Sequence, residues 1–177
     1  MRHKIILDTD PGIDDAMAIF FAFQHPEIDV LGLTTVFGNV PVEMAAKNAI
    51  TLCALANKDI PVCKGVGMPW VGKESGYAHF VHGDDGFGNI NFPAAEGKLD
   101  PRSSAQFIVD MAREYPGEIT VVAIGPLGNL ALALRLEPEL PKLLKAVSVM
   151  GGAAFVPGNV TPVAEANIWN DAYAAEI

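Results

Sequence analysis

Short apolar runs alternate with amphipathic segments along most of the chain, and this alternation restricts the possible folds more than any other feature. The apolar runs are rich in Val, Ile and Leu, as in strands that are covered on both faces. The segments between them repeat apolar residues at helical spacing. This order predicts an α/β fold, namely an open, mostly parallel sheet with helices on both faces and a Rossmann-like core. We predict strands at residues 4–9, 28–36, 60–63, 118–124 and 145–150, and helices at residues 13–24, 42–57, 101–114 and 127–136.

The composition argues against several classes of protein. Half of the 177 residues are hydrophobic and 19% are charged, so the chain has enough apolar side chains for a folded core. The formal net charge is −9 and no run of Lys or Arg occurs, which argues against nucleic acid and anionic membranes as partners. Two cysteines, Cys53 and Cys63, are too few for a disulfide framework and lack zinc-site spacing, so we expect buried thiols. Without a recognisable membrane span or signal peptide, the expected location is the cytoplasm.

Acidic residues crowd the point where the first strand gives way to a helix. Asp8, Asp10, Asp14 and Asp15 lie within eight residues, and their mutual repulsion favours a bound cation. Carboxylate oxygens suit Ca²⁺ or Mg²⁺, and ligands of parallel sheets bind at the carboxyl ends of the strands. A Gly-Pro turn in residues 124–129 could add backbone carbonyl oxygens. Two simpler explanations stay open: the first two aspartates could end the strand, and the other two could favour the positive end of the helix.

Two long segments without regular periodicity hold the remaining candidates. Residues 64–99 are Gly-rich and contain His82, which could act on a substrate or lie exposed on the surface. Residues 151–167 contain Asn159, Glu165 and Asn167, whose polar groups suit sugar hydroxyls. Turns and a helix cap explain the neighbouring Asn170 and Asp171 more readily than they explain Glu165 and Asn167, which have apolar neighbours.

One motif connects these segments to a known family. Residues 8–16 read DTDPGIDDA, and this stretch matches the DTDPGxDDA signature of the inosine-uridine-preferring nucleoside hydrolases (ribonucleoside hydrolases) without a gap. The chain therefore resembles this family, and further matching segments follow in the family's order at residues 38–39, 82–83, 125–129, 150–152, 159 and 164–168. The resemblance implies hydrolysis of the N-glycosidic bond of a small-molecule ribonucleoside to free base and ribose, with Ca²⁺ as cofactor. It also implies a homo-oligomer, either a dimer or a tetramer.

The resemblance assigns roles to residues at matching positions. Asp10 and Asp15 would be carboxylate ligands of the Ca²⁺, and Ile124 would offer its backbone carbonyl. Asp10 would also be the catalytic base that takes a proton from the metal-bound water, while His82 would lie on a mobile loop near the base. The ribose would be held by Asp14, Asn39, Asn159, Glu165 and Asn167.

The length departs from the family pattern. Members resembling this chain are nearly twice as long, and their distal half carries a His-Asp pair that contributes to the metal site and to leaving-group protonation. We therefore expect residues 1–177 to form a single truncated domain in which the C-terminal part of the family fold is absent. Two alternatives stay open: a non-catalytic ribose- or Ca²⁺-binding fragment, and a phosphohydrolase of the haloacid dehalogenase type with Asp8 as nucleophile. Gly12 stands where the latter family expects Thr or Val.

Overall fold

A parallel sheet forms the centre of the molecule. The computed structural model describes residues 2–72, 76–93 and 95–177. Within these ranges the sheet has five strands in the order β3-β2-β1-β4-β5, and every neighbouring pair is parallel. The strands are β1 (His3–Thr9), β2 (Ile28–Thr35), β3 (Val62–Lys64), β4 (Ile119–Ala123) and β5 (Ala146–Val149). The predicted α/β class and parallel sheet are therefore confirmed.

Helices cover both faces of the sheet. They are α1 (Ile13–Gln24), α2 (Val42–Leu55), α3 (His79–His82), α4 (Ser104–Glu114), α5 (Gly128–Leu136), α6 (Leu140–Leu143), α7 (Ala166–Asn170) and α8 (Ala172–Glu176). Successive side chains of β1 point to opposite faces, so Ile5 and Leu7 pack with α1 and α2, whereas Ile6 packs with α4, α5 and α6. No helix in the described residues is both long enough and apolar enough to cross a bilayer.

One helix start needed correction, and the prediction for the two cysteines was confirmed. The predicted helix 101–114 begins at Ser104, because the Ser103 hydroxyl accepts the Gln106 N–H at 3.2 Å and caps it. In the sequence Asp100 before Pro101 has the pattern of a helix cap, but its carboxylate binds the Arg102 side chain. Cys53 and Cys63 are free and buried as predicted, and burial raises the pKa of their thiols to about 11 and about 12 respectively.

The strand order brings distant segments to one edge. β1 lies between β2 and β4, so the chain leaving β1 emerges between the segments that leave the other two strands. Backbone hydrogen bonds extend the pairing beyond the strands, from Val36 N–H to Thr9 and from Ile124 N–H to Asp8. We call residues 8–15, 36–39, 124–129 and 150–152 the carboxyl-end rim. The acidic cluster predicted from sequence lies on this rim.

Candidate functional site

Asp8 lies inside β1, so it does not end the strand. It pairs in register with Thr34, whose hydroxyl donates to Asp8 Oδ1 at 2.6 Å. The Asn129 side-chain amide donates to the same oxygen at 2.8 Å. Burial raises the pKa of Asp8 to about 6, although these two hydrogen bonds oppose the shift. A nucleophile must reach its substrate, and Asp8 is fully buried, which argues against the phosphohydrolase alternative.

Asp10 is the first residue beyond β1 and is almost completely buried. Its Oδ2 accepts the Asn39 N–H at 2.5 Å, whereas Oδ1 is buried and has no hydrogen-bond partner among the described residues. Gly38 and Gly125 lie directly against the carboxylate, and a Cβ at Gly125 would come within 2.6 Å of Oδ1. Burial, and then the charge of Asp15, raise the pKa of Asp10 well above its ordinary value. Asp10 thus holds one buried carboxylate oxygen without a hydrogen-bond partner among the described residues.

Asp15 lies in the first turn of α1 and faces Asp10. Thr9 Oγ1 donates to Asp15 Oδ1 at 2.6 Å, and the Asn39 side-chain amide donates to Oδ2 at 2.9 Å. Asn39 therefore bridges the two carboxylates, with its backbone N–H on Asp10 and its side chain on Asp15. Asp15 also accepts the Gly12 N–H and caps the helix, but a cap alone does not require burial. Burial raises the pKa of Asp15 as well.

Asp14 does not join this buried cluster. Its side chain is 70% exposed, and its Oδ1 lies 3.8 Å from His82 Nδ1. That distance is too long for a hydrogen bond. His82 Nδ1 instead accepts the backbone N–H of Ile13 at 3.3 Å. The predicted contact of Asp14 with ribose stays a prediction.

His82 is buried, which contradicts the alternative of an exposed surface histidine. It ends α3 and lies against the first turn of α1, where Nδ1 accepts the Ile13 N–H. Because Nδ1 is the acceptor, the neutral imidazole carries its proton on Nε2. The structure therefore places a histidine N–H donor beside the acidic cluster. The predicted mobility of this segment stays a prediction, and residues 73–75, within the long segment 64–99, lie outside the described residues.

Asn167 joins a second group of candidates to the rim. It is buried at the start of α7, and its side-chain amide donates to the carbonyl oxygens of Ile124 and Met150, both at 3.0 Å. A carbonyl oxygen has two lone pairs, so Ile124 keeps one for a cation. The predicted metal-binding carbonyl and a predicted ribose-binding residue are therefore in direct contact.

Glu165 caps α7, although the sequence favoured a contact with sugar hydroxyls over a helix cap at this position. Its carboxylate accepts the N–H groups of Asn167 and Ile168 at the start of α7, and also the N–H of Gly152 at 2.8 Å. Asn159 Oδ1 accepts the N–H of Ala166. The structure thus brings Asn159, Glu165 and Asn167 together, but it uses the first two to hold the turn before α7. Asp171 caps α8, as predicted.

Two buried amides were missed as site residues. Asn129 on α5 donates to Asp8 and to the Thr35 carbonyl, and it accepts the Val66 N–H. Asn48 on α2 donates to the carbonyls of Pro11 and Asp85. The available signal was an amide side chain among the apolar residues of a helix, because such a group needs partners when buried.

The donor set fits Ca²⁺ in chemistry and is incomplete in number. In the described part of the chain, no three His, Cys, Asp or Glu side chains are grouped to hold a metal ion. The predicted set needs only two such side chains, since it combines the carboxylates of Asp10 and Asp15 with the backbone carbonyl of Ile124. All are hard oxygen donors, and an unpartnered buried carboxylate oxygen is what a cation would satisfy. Further ligands would have to come from water, substrate or another polypeptide segment.

Comparisons with known proteins identify the relatives of this chain. The sequence model of the family described as "Inosine-uridine preferring nucleoside hydrolase" matches residues 5–177. "Probable uridine nucleosidase 2" of Arabidopsis thaliana is 53% identical over 178 residues, which are 99% of this chain and 55% of the relative. "Inosine-uridine preferring nucleoside hydrolase" of Leishmania major is 43% identical over 180 residues, covering 100% of this chain and 57% of the relative.

Solved structures show the same architecture. A plant nucleoside hydrolase superposes with a TM-score of 0.95 at 46% identity, covering 99% of this chain and 56% of that one. The chain spans about half the length of the curated relatives it matches.

Proposed function

Because the chain belongs to the inosine-uridine preferring nucleoside hydrolase family, we propose that it acts in hydrolysing the N-glycosidic bond of ribonucleosides to free base and ribose. The observation that supports this most is the buried pair of Asp10 and Asp15, bridged by Asn39 at the carboxyl-end rim. Ligands of parallel sheets bind at this edge. Since the chain spans about half of its relatives, the activity is proposed for the site that these residues build.

Asp10, Asp15 and the Ile124 carbonyl are the proposed holders of a Ca²⁺ ion. Support comes from their all-oxygen chemistry and from the partnerless Oδ1 of Asp10. When bound, Ca²⁺ lowers the pKa of coordinated water and orients sugar hydroxyls.

Asp10 is the proposed general base, and its carboxylate is the group that accepts the proton. A general base must lie within hydrogen-bond reach of the proton it takes, and Asp10 lies on the rim where ligands of parallel sheets bind. Glycoside cleavage passes through a transition state with positive charge on the sugar. The negative charges on the rim stabilise that state where the charge develops.

The polar residues around the pair are the proposed ribose contacts. Asn39 and Asn167 are fixed by their own hydrogen bonds, so their remaining acceptor atoms are held in place. Asp14, Asn159 and Glu165 lie along the same edge. His82 would use its Nε2–H toward the leaving base, because the Ile13 N–H occupies Nδ1.

Uridine is the first substrate to test, because a relative at 53% identity is called a probable uridine nucleosidase. Ribose release from uridine and inosine would be measured with Ca²⁺ and with a chelator, for the wild-type chain and for Asp10→Asn. The exposed Asp59 gives the matched control Asp59→Asn. We expect Ca²⁺-dependent release that falls at least ~100-fold in Asp10→Asn, the usual range for loss of a general base. Equal release by Asp10→Asn and the wild-type chain would contradict the proposal.

A second candidate is binding of ribose and Ca²⁺ without catalysis. The observation that favours it is the incomplete donor set, because no three metal-binding side chains are grouped in the ranges the structure describes. Ribose release by this chain would exclude it. Saturable Ca²⁺ and ribose binding without release would support it.

We further propose that the protein is cytoplasmic and binds a ribonucleoside but no nucleic acid. Buried free thiols at Cys53 and Cys63 agree with a reducing compartment, and the net charge of −9 disfavours polyanions.

We also propose that the chain forms a homo-oligomer. The support is an exposed apolar row along α1, formed by Ile13, Met17 and Phe21 at 43%, 71% and 64% exposure. A monomer in sedimentation experiments at micromolar concentration would contradict the oligomer.

A further inference from the structure

A single buried amide joins two segments of the site. Asn48 lies on the buried face of α2, and its Nδ2 donates to the Pro11 carbonyl at 3.1 Å and to the Asp85 carbonyl at 2.9 Å. Pro11 follows Asp10 in what we call the aspartate loop, residues 10–13. Asp85 belongs to what we call the histidine segment, residues 79–91. Both hydrogens of the Asn48 amide are therefore used between these two segments.

The backbone at Gly86 shows how closely the two segments approach. Its φ is +80°, a conformation that residues with a Cβ rarely adopt. A Cβ there would lie 2.8 Å from Asn48 Nδ2 and 3.0 Å from the Pro11 oxygen. The segments thus meet at a distance that only glycine permits, which supports a specific contact independently of the hydrogen bonds.

The histidine segment is internally bonded, so a constraint at Asp85 reaches His82. The Asp85 carboxylate accepts the N–H groups of Phe87, Asn89 and Asn91 at 2.7–2.8 Å. The Gly88 N–H donates to the His82 carbonyl at 2.7 Å, and Phe87 is buried in the core. A segment with these bonds moves as one unit rather than residue by residue.

We propose that Asn48 is a positioning residue, whose amide clamps the histidine segment onto the aspartate loop and so holds His82 Nδ1 against the Ile13 N–H. The clamp fixes the tautomer of His82 and the direction of its Nε2–H. The expected effect of the clamp on catalysis rests on the proposed function. The clamp itself is a property of the folded chain.

A merely stabilising role for Asn48 predicts a different outcome, and Thr51 provides the comparison. Thr51 is a buried polar residue of the same helix, and its hydroxyl donates to the Lys47 carbonyl at 2.9 Å within α2. Thr51→Ala therefore removes a buried hydrogen bond without touching either segment. Of these two variants, only Asn48→Ala should change the tautomer of His82.

The experiment observes His82 without substrate. Ring ¹⁵N NMR at pH 8 should show one neutral tautomer of His82 in the wild-type chain and in Thr51→Ala, and a mixture of tautomers in Asn48→Ala. Amide exchange at Ile13 and Gly88 should rise roughly tenfold or more in Asn48→Ala only, since their hydrogen bonds would open more often. Gly86→Ala forces the same contact apart from the other side and should act likewise, which keeps the test decisive if Asn48→Ala does not fold.

The proposal is overturned if His82 and the Ile13 amide are unchanged in the folded variants, or if Thr51→Ala changes them equally. Failure of the proposed function looks different: the wild-type chain would release no ribose while its His82 signature stayed intact. Where ribose release is measurable, Asn48→Ala should lower kcat roughly tenfold and change KM little, because the clamp acts on a group that works in the transition state.

Discussion

The side-chain amide of Asn167 lies 3.0 Å from the carbonyl oxygen of Ile124 and donates a hydrogen bond to it. This contact joins the first turn of α7 to the turn after β4, across 43 residues of sequence. It couples a proposed ribose-binding residue to a proposed metal ligand. A substitution at Asn167 is therefore expected to change Ca²⁺ affinity as well as ribose affinity.

Asn167→Ala tests this coupling. Removing the amide leaves the Ile124 and Met150 carbonyls without this donor, and we expect ribose affinity to fall by about 1–3 kcal/mol. Ca²⁺ affinity should fall as well, because the Ile124 carbonyl loses its orientation. Calorimetric titration with Ca²⁺ and with ribose measures both effects. The exposed Gln24 gives the control Gln24→Ala, and unaltered affinities in Asn167→Ala would contradict the assignment.

The Ca²⁺-free chain should lose stability as the pH rises. Burial raises the pKa of Asp8 from 3.8 to about 6 and raises that of Asp10 well above its ordinary value, so the folded chain holds these protons more tightly than the unfolded chain. The resulting stabilisation is complete below about pH 4 and is lost as the pH rises through 6. With chelator present, the Tm should fall by at least about 4 °C between pH 4.5 and pH 8.

An opposite trend holds at lower pH. The hydrogen bond from Arg102 is the main reason that the pKa of Asp100 falls to about 2, and this contribution is lost on acidification toward pH 2. Thermal unfolding across pH 2–8 should therefore show a maximum near pH 4–5 without Ca²⁺. A Tm that rises steadily to pH 8 in chelator would contradict the raised pKa values.

A methyl group at Gly38 should disturb the acidic cluster directly. A Cβ at this position would overlap Asp10 Oδ2, which also accepts the Asn39 N–H. We expect Gly38→Ala to cost about 1–3 kcal/mol of unfolding free energy and to weaken Ca²⁺ binding, because the carboxylate must move. Gly67→Ala is the control, since its Cβ would meet only a Val42 side chain at 3.0 Å. Denaturant unfolding of both variants measures the difference, and equal costs would exclude a special role for Gly38.

Local patterns were sufficient for most of the fold. The helix predicted at residues 13–24 was found as Ile13–Gln24, because apolar spacing and the acidic first turn agree there. The start of α4 was misplaced because Asp100 followed by Pro101 looks like a cap, while the Arg102 side chain takes that carboxylate. The short helices α3, α6 and α7 were missed, since four or five residues carry too little periodicity.

The site was predictable where its residues cluster in sequence and not where distant segments meet. Asp10 and Asp15 lie five positions apart in one motif, and a parallel sheet must bring that motif to the carboxyl end of a strand. The burial of His82 depends on a contact with Ile13 that spans 69 residues. The clamp by Asn48 joins segments 37 residues away on each side, and no local pattern encodes such contacts.

Calcium titration of the wild-type chain, Asp10→Asn and Asp59→Asn measures the central claim most directly. If the unpartnered oxygen of Asp10 belongs to a cation site, the wild-type chain and Asp59→Asn should bind one Ca²⁺ with the same affinity. Asp10→Asn should then bind at least ~100-fold more weakly, because an amide replaces a charged ligand. Equal Ca²⁺ affinity in Asp10→Asn and the wild-type chain, or no saturable binding in the wild-type chain, would contradict it.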